Sequence, residues 1–153
     1  MFCILHQSFV YKMLEMDNKE IDIDKFFALS VELTGYNDLS SVVSLSNLEI
    51  LVQIAESNKN GNTDLSYLNF VRMMHSYKAG AANNLYQDSE FVPILKEILI
   101  LWYTGFPSSG RNVKGLNFST ASYYEALLWR AIRAHPPGVP GEYFGHWHYL
   151  PEH

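Results

Sequence analysis

The chain has 153 residues, of which 48% are hydrophobic and 18% charged. That length and composition suit one globular domain with a real core. Its formal net charge of −5 argues against a nucleic-acid binder, which needs a basic footprint.

The charge is uneven. Residues 1–64 hold ten acids against four bases, whereas residues 65–153 hold six acids against seven bases. The C-terminal part is therefore nearly neutral, which suits a contact surface. Cys3 is the single cysteine, so neither an intrachain disulfide nor an iron–sulfur cluster can be built by this chain alone. No apolar run reaches the roughly 18 residues of a membrane helix. The segment 91–106 comes nearest, and Lys96 and Glu97 interrupt it.

Residues 1–20 read as an irregular N-terminal segment. They are mildly apolar but lack a basic start and a small-residue cleavage site, so they do not read as a signal peptide.

From residue 21 to residue 134 the periodicity is helical. Phe26, Leu29 and Leu33 mark a first helix, with Asp22 or Asp24 as its cap and Gly35 as its stop. A second helix starts near residues 40–46, carries the stripe Leu45, Leu48, Val52 and Ala55, and ends near residues 58–61. Asp64 can cap a third, with Leu68, Val71, Met74 and His75. Residues 80–84 read as a loop.

The fourth helix has the broadest stripe: Phe91, Ile94, Leu95, Ile98, Leu101 and Trp102. Ser89 or Asp88 can cap it, Pro93 fits its first turn, and Gly105 and Pro107 end it. A fifth helix is expected from about Thr120 to Ile132, with Tyr124, Leu127, Leu128 and Ala131 on one side. From His135 onward, Pro136, Pro137, Gly138, Pro140 and Gly141 break regular structure. The expected architecture is all-α: a compact bundle of about five helices (21–134) with an extended Pro/Gly/aromatic tail (135–153).

Three constellations contain residue types that can carry chemistry. The segment from Glu56 to Asp64 resembles a calcium loop, but Glu56 stands at its first place and Tyr67 at its twelfth, where a bidentate Glu is needed. A helix stop followed by a new cap explains it better. His135, His146, His148 and His153 lie in the tail without the cysteines and rigidity of a structural zinc site. A free-standing small-ligand or metal binder built on these histidines and aromatics is the alternative reading. Ser108-Ser109-Gly110 is not a nucleophile elbow, and no phosphate-cradling glycine loop opens a helix. No cofactor site emerges.

The aromatic residues remain. All three tryptophans, Trp102, Trp129 and Trp147, lie in the last third. Trp102 and Tyr124 sit at helical spacing and fit a core. Tyr143, Phe144, Trp147 and Tyr149 follow no helical period. They fit either a partner interface or packing on the chain's own body.

Four stretches occur in one order: Phe26-Phe27-Ala28-Leu29-Ser30-x-x-Leu33-Thr34-Gly35; Trp102-Tyr103-x-Gly105; Tyr123-x-Glu125-Ala126-Leu127-x-Trp129; and a Pro/Gly/aromatic end with Trp147. Together they resemble the small subunit of membrane-associated FAD-dependent sugar and alditol dehydrogenases, such as the sorbitol, fructose and gluconate enzymes. The likeness runs from about Ile21 to Pro151.

The resemblance implies a non-catalytic escort. It would bind an FAD-containing large subunit, assist its maturation, and sit in the periplasm or at the membrane. A multihaem cytochrome c subunit would be an indirect partner, and FAD, iron–sulfur and haem groups would belong to partner subunits only. Trp102, Tyr103, Tyr124, Trp129, Tyr143, Phe144 and Trp147 are then the expected partner-binding residues. Such small subunits usually carry a twin-arginine export signal. No adjacent arginine pair occurs here, so nothing in the sequence matches it.

Overall fold

The computed structural model describes residues 21–57, 65–109, 116 and 119–134. Among them there are six α-helices, one 3-10 helix and no strand, as the all-α expectation requires. The helices are α1 (Ile23–Thr34), α2 (Ser41–Ser57), α3 (Tyr67–Ser76), α4 (Val92–Thr104), α5 (Thr120–Tyr124) and α6 (Leu127–Ala131). The 3-10 helix, Ala82–Gln87, lies between α3 and α4. Helix α2 is central and touches α1, α3, α4 and α5; α4 also packs on α1, α5 and α6.

Asp22 is the cap of α1. Its carboxylate accepts from the Asp24 N–H at 2.9 Å, satisfying one of the orphan donors of the first turn. Gly35 ends the helix in the left-handed conformation, φ 75°, and its N–H returns to the Val31 carbonyl. Phe26 and Leu29 are fully buried, and Phe26 meets Phe70 of α3 edge-on at 6.4 Å.

The stripe expected on α2 is displaced. Leu48 and Ala55 are buried, but Leu45 and Val52 are only half-buried; Val43, Asn47, Ile50, Leu51 and Ile54 complete the inner face. A helix enclosed by four neighbours buries a wider arc than the stripe chosen from sequence. In α3, Val71 and Met74 are buried as expected. Leu68 is 66% exposed and His75 is exposed, because Phe70, Met73, Met74 and Tyr77 hold the core phase. Ser66, not Asp64, occupies the cap position, without a side-chain bond; Asp64 lies outside the described residues.

The loop expected at 80–84 runs into the 3-10 helix. Its threefold period puts Ala82 and Leu85 on one buried face. Helix α4 buries all six expected residues, with Pro93 in its first turn. Neither Ser89 nor Asp88 caps it. A turn comes first, in which the Asp88 carboxylate accepts from the Glu90 N–H and the Asp88 carbonyl from the Phe91 N–H.

The expected fifth helix is two short ones. In a continuous helix the Tyr123 carbonyl would accept from Leu127. Here it accepts from the Ala126 N–H and from the Trp129 indole N–H instead. Ala126 is extended, ψ 131°, and the helical phase resets. Ala126 and Leu127 turn inward, while Tyr124, Leu128 and Ala131 are exposed, contrary to the single stripe read from sequence.

Glu32 ties α1 to the segment after α3. Its carboxylate accepts from the Tyr77 hydroxyl and from the backbone N–H groups of Gly80 (2.5 Å) and Ala82 (3.0 Å). Partial burial pushes the carboxyl up, but the hydrogen bonds from Tyr77, Gly80 and Ala82 outweigh it and hold the group below the ordinary carboxylate range. A carboxyl depressed on folding stabilises the native state above its unfolded-state pKa. That stabilisation is lost as pH falls through the lower, folded-state value. Glu32→Gln is expected to cost about 1 kcal/mol at neutral pH. It should also flatten the acid limb of the stability–pH curve, which urea unfolding between pH 7 and pH 3 measures.

Candidate functional site

The C-terminal end of α4 organises the site. Gly105, φ 74°, closes that helix by donating its N–H to the Leu101 carbonyl. The absence of a side chain there lets α5 come into backbone contact. A Cβ on Gly105 would lie 2.5 Å from the Tyr123 Cα.

Side chains pin the other side of α5. Ser119 caps it, accepting from the Ser122 N–H at 3.2 Å. Ser122 is buried and donates its hydroxyl to Asn47 Oδ1 of α2 at 3.1 Å. A buried polar pair between two elements fixes their register, since sliding would strand both groups.

The aromatic residues gather here. Phe106 and Tyr124 lie 5.5 and 5.6 Å from the Tyr123 ring, and Trp129 meets Tyr123 edge-on at 5.6 Å and 82°. These separations are favourable for edge and offset ring contacts. Four large apolar side chains in and next to this cluster in sequence are exposed, Phe106 at 44%, Tyr124 at 39%, Leu128 at 38% and Ile132 at 55%; Ile23, Val42, Leu68 and Tyr86 are exposed elsewhere on the surface.

Beside it, a cleft of about 250 Å³ opens between residues 38–40 and the two short helices. Leu39, Trp102, Tyr124, Leu127 and Trp129 line it, with Asp38, Glu125 and Arg130 among its polar residues. Arg130 spans one side. Its guanidinium donates to both Asp38 oxygens, at 3.2 and 2.7 Å, and lies 4.8 Å from the Tyr36 ring centre. The hydrogen bond from Arg130 holds the Asp38 carboxyl below its ordinary range, and Asp38 in turn pushes Arg130 up. Both side chains are well exposed, so the pair orients the wall more than it stabilises the fold.

A second feature lies on α4. Glu97 is buried, yet no ion pair reaches it among the described residues. Its carboxylate accepts from the N–H and hydroxyl of Ser108 (2.6 and 2.7 Å) and of Ser109 (both 3.1 Å). The loop after Gly105 is thus folded back onto the helix. Glu97→Ala is expected to lower stability by about 2–3 kcal/mol, since these bonds reach a charged group. It should also open the loop to protease; a thermal melt and limited proteolysis measure the two effects.

The seven residues expected to bind a partner fall into three groups. Trp102 is in the core at 2% exposure and forms part of the cleft lining. Tyr103 is half-buried against the core. Tyr124 and Trp129 stand together in the aromatic cluster, the first exposed and the second half-buried. Tyr143, Phe144 and Trp147 lie outside the described residues, as do Cys3, segment 58–64 and the histidines His135, His146, His148 and His153.

Sequence reasoning missed Leu128, Ile132 and Phe106 as surface residues, and the Asn47–Ser122 pin. Glu97 was visible as a charge inside an apolar stripe. Among the described residues there is no group of three or more potential metal ligands. No helix among them is long and apolar enough to cross a membrane.

Comparison with curated proteins and with solved structures gives no match. A protein-family model does match, over residues 10–136. It includes the first three stretches that carry the small-subunit resemblance and stops short of Tyr143, Phe144 and Trp147. The chain therefore belongs to the family described as membrane-bound FAD-containing D-sorbitol dehydrogenase.

Proposed function

We propose that this chain is the non-catalytic small subunit of a flavin-dependent sugar or polyol dehydrogenase complex. It binds the FAD-containing catalytic subunit and assists its maturation and export to the periplasmic side of the membrane. FAD, iron–sulfur and haem groups are held by partner subunits, and any multihaem cytochrome is reached through the flavoprotein.

One observation carries this reading. Phe106, Tyr124, Leu128 and Ile132 are exposed, while α5 is held by backbone contact at Gly105 and by the Ser122–Asn47 hydrogen bond. Exposed apolar surface on a firmly held scaffold is characteristic of an interface. Aromatic anchors with a polar handle are favoured there. Tyr124 and Trp129 are the surface anchors in this scheme, while Trp102 and Tyr103 support them from beneath. Tyr143, Phe144 and Trp147 extend the contact.

Co-expression of the tagged chain with the FAD-containing large subunit of such a dehydrogenase tests the proposal. The expected result is a yellow complex that oxidises a sugar or polyol, and a colourless, inactive small subunit when it is purified alone. Turnover by the isolated chain, or failure to capture any flavoprotein, would overturn it. In the same assay, deletion of residues 136–153 shows whether the tail contributes. Unchanged co-purification and activity would remove Tyr143, Phe144 and Trp147 from the interface.

A further inference from the structure

Twice on its surface the chain seats one of its own arginines on an aromatic ring with a carboxylate beside it. The Arg72 guanidinium lies 5.7 Å from the Phe91 ring centre and donates to Glu90 at 2.6 Å. The Arg130 guanidinium lies 4.8 Å from the Tyr36 ring centre and donates to both Asp38 oxygens. A ring and a carboxylate together favour a cation, the guanidinium above all, because its flat face stacks while its edge donates.

The cleft between residues 38–40 and the α5–α6 pair joins another carboxylate to aromatic rings, here without a cation of its own. Glu125 lines it together with Tyr124 and Trp129. Tyr124 and Glu125 are exposed, and the Glu125 side chain makes no hydrogen bond or ion pair with the described residues. Among the charged lining residues Arg130 is matched by Asp38, so one uncompensated negative charge stays in the cleft, at Glu125.

Building on the small-subunit reading, we propose that this cleft receives an arginine side chain of the flavoprotein subunit, its guanidinium paired with Glu125 and laid against the Tyr124 and Trp129 rings.

Charge and position select that occupant. An acidic group would be repelled by Glu125, and an apolar one would cover its carboxylate without pairing it, which is costly. A guanidinium pairs the carboxylate and stacks on the rings at once. Leu39 and Leu127 give the aliphatic stem an apolar wall. Tyr124 belongs both to the cleft and to the exposed apolar residues of the proposed interface, so one partner can cover both. Arginine is among the residues enriched at such contacts.

Glu125→Gln keeps the shape of the side chain and removes its charge. In the full-length chain it should leave the thermal melt unchanged and weaken flavoprotein capture about tenfold. Asp24→Asn makes the same charge change at an exposed position of α1 and should leave capture unchanged. Phenylglyoxal modification of arginines, followed by peptide mapping, gives a second readout. One flavoprotein arginine should be protected in the wild-type complex and reactive in the Glu125→Gln complex. Failure to form any complex would sink the small-subunit reading itself. A complex that tolerates Glu125→Gln, that loses as much with Asp24→Asn, or that protects no such arginine would sink only the cleft proposal. So would a shift of the Trp129 indole NMR signal when sorbitol, but not ethylguanidinium, is titrated into the isolated chain, because the cleft would then take neutral polyols.

Discussion

Gly105→Ala is expected to lower the unfolding free energy by about 3–5 kcal/mol, a large part of the roughly 5–15 kcal/mol a domain possesses. Two costs combine. The left-handed conformation, φ 74°, opposes any side chain by about 1–2 kcal/mol. The added Cβ also meets main chain, 2.5 Å from the Tyr123 Cα and 2.8 Å from the Ser122 carbonyl oxygen. Backbone cannot rotate aside as a flexible side chain can, so α5 must retreat from α4.

Gly35 is the built-in control. It has nearly the same φ, 75°, but nothing lies within 4 Å of the position its Cβ would take. Gly35→Ala should therefore cost only the conformational part, about 1–2 kcal/mol. Urea denaturation of both variants isolates the steric part as their difference. Equal losses would mean that α5 is not held against Gly105. If the proposed interface is right, Gly105→Ala also weakens flavoprotein capture more than Gly35→Ala does at equal folded fraction, since it displaces Tyr123, Tyr124 and Trp129 together.

The legible and illegible parts of this fold divide along physical lines. Helix α4 could be read from its stripe to its stop, though not at its cap. Its stripe is long, its stop is a glycine, and local pattern and tertiary environment agree. The Asp22 cap and the Gly35 stop were legible for the same reason: both act within a few residues of themselves. The α2 stripe was displaced because four neighbours, not one, decide which side of that helix is inside. Nothing local encodes this. The α5–α6 break was hidden because its cause is a side chain, the Trp129 indole capturing the Tyr123 carbonyl. The sequence 120–132 carries no proline or glycine to announce an interruption.

That hidden break is what made the candidate site hard to read. With one continuous helix, Tyr124, Leu127, Leu128 and Ala131 share a buried side, and the surface looks polar. With the phase reset, Leu127 alone goes inward and Leu128 comes out. The family resemblance pointed to the last third of the chain. It could not say which aromatic rings are support and which are surface. Trp102 and Tyr103 needed the packing of α4 to be placed in and against the core, and Tyr124 needed the break to be placed outside.

The second large effect tests that placement. Leu128→Asp with Ile132→Asp is expected to cost the isolated chain about 1–2 kcal/mol, because Ile132 is 55% exposed but Leu128 only 38%, which leaves it folded for the binding assay. The same pair is expected to weaken capture of the flavoprotein by about a hundredfold or more. Interface anchors that lose their contact and become buried charges commonly cost about 2 kcal/mol or more each. The two residues sit one turn apart, with the Ile132 N–H bonded to the Leu128 carbonyl at 3.0 Å, so they can press on one partner surface together. Val42→Asp with Leu68→Asp is the matched control. Both side chains are 66% exposed, one on α2 and the other on α3. Biolayer interferometry against immobilised flavoprotein, with circular dichroism melts of each free variant, separates the outcomes. Loss of capture in the α6 variant alone assigns the interface to the α5–α6 face. Equal loss in both pairs would mean that acidity, not location, was being read. Full retention in the α6 variant would move the contact elsewhere, and with it the reason Phe106, Tyr124, Leu128 and Ile132 stand partly in water.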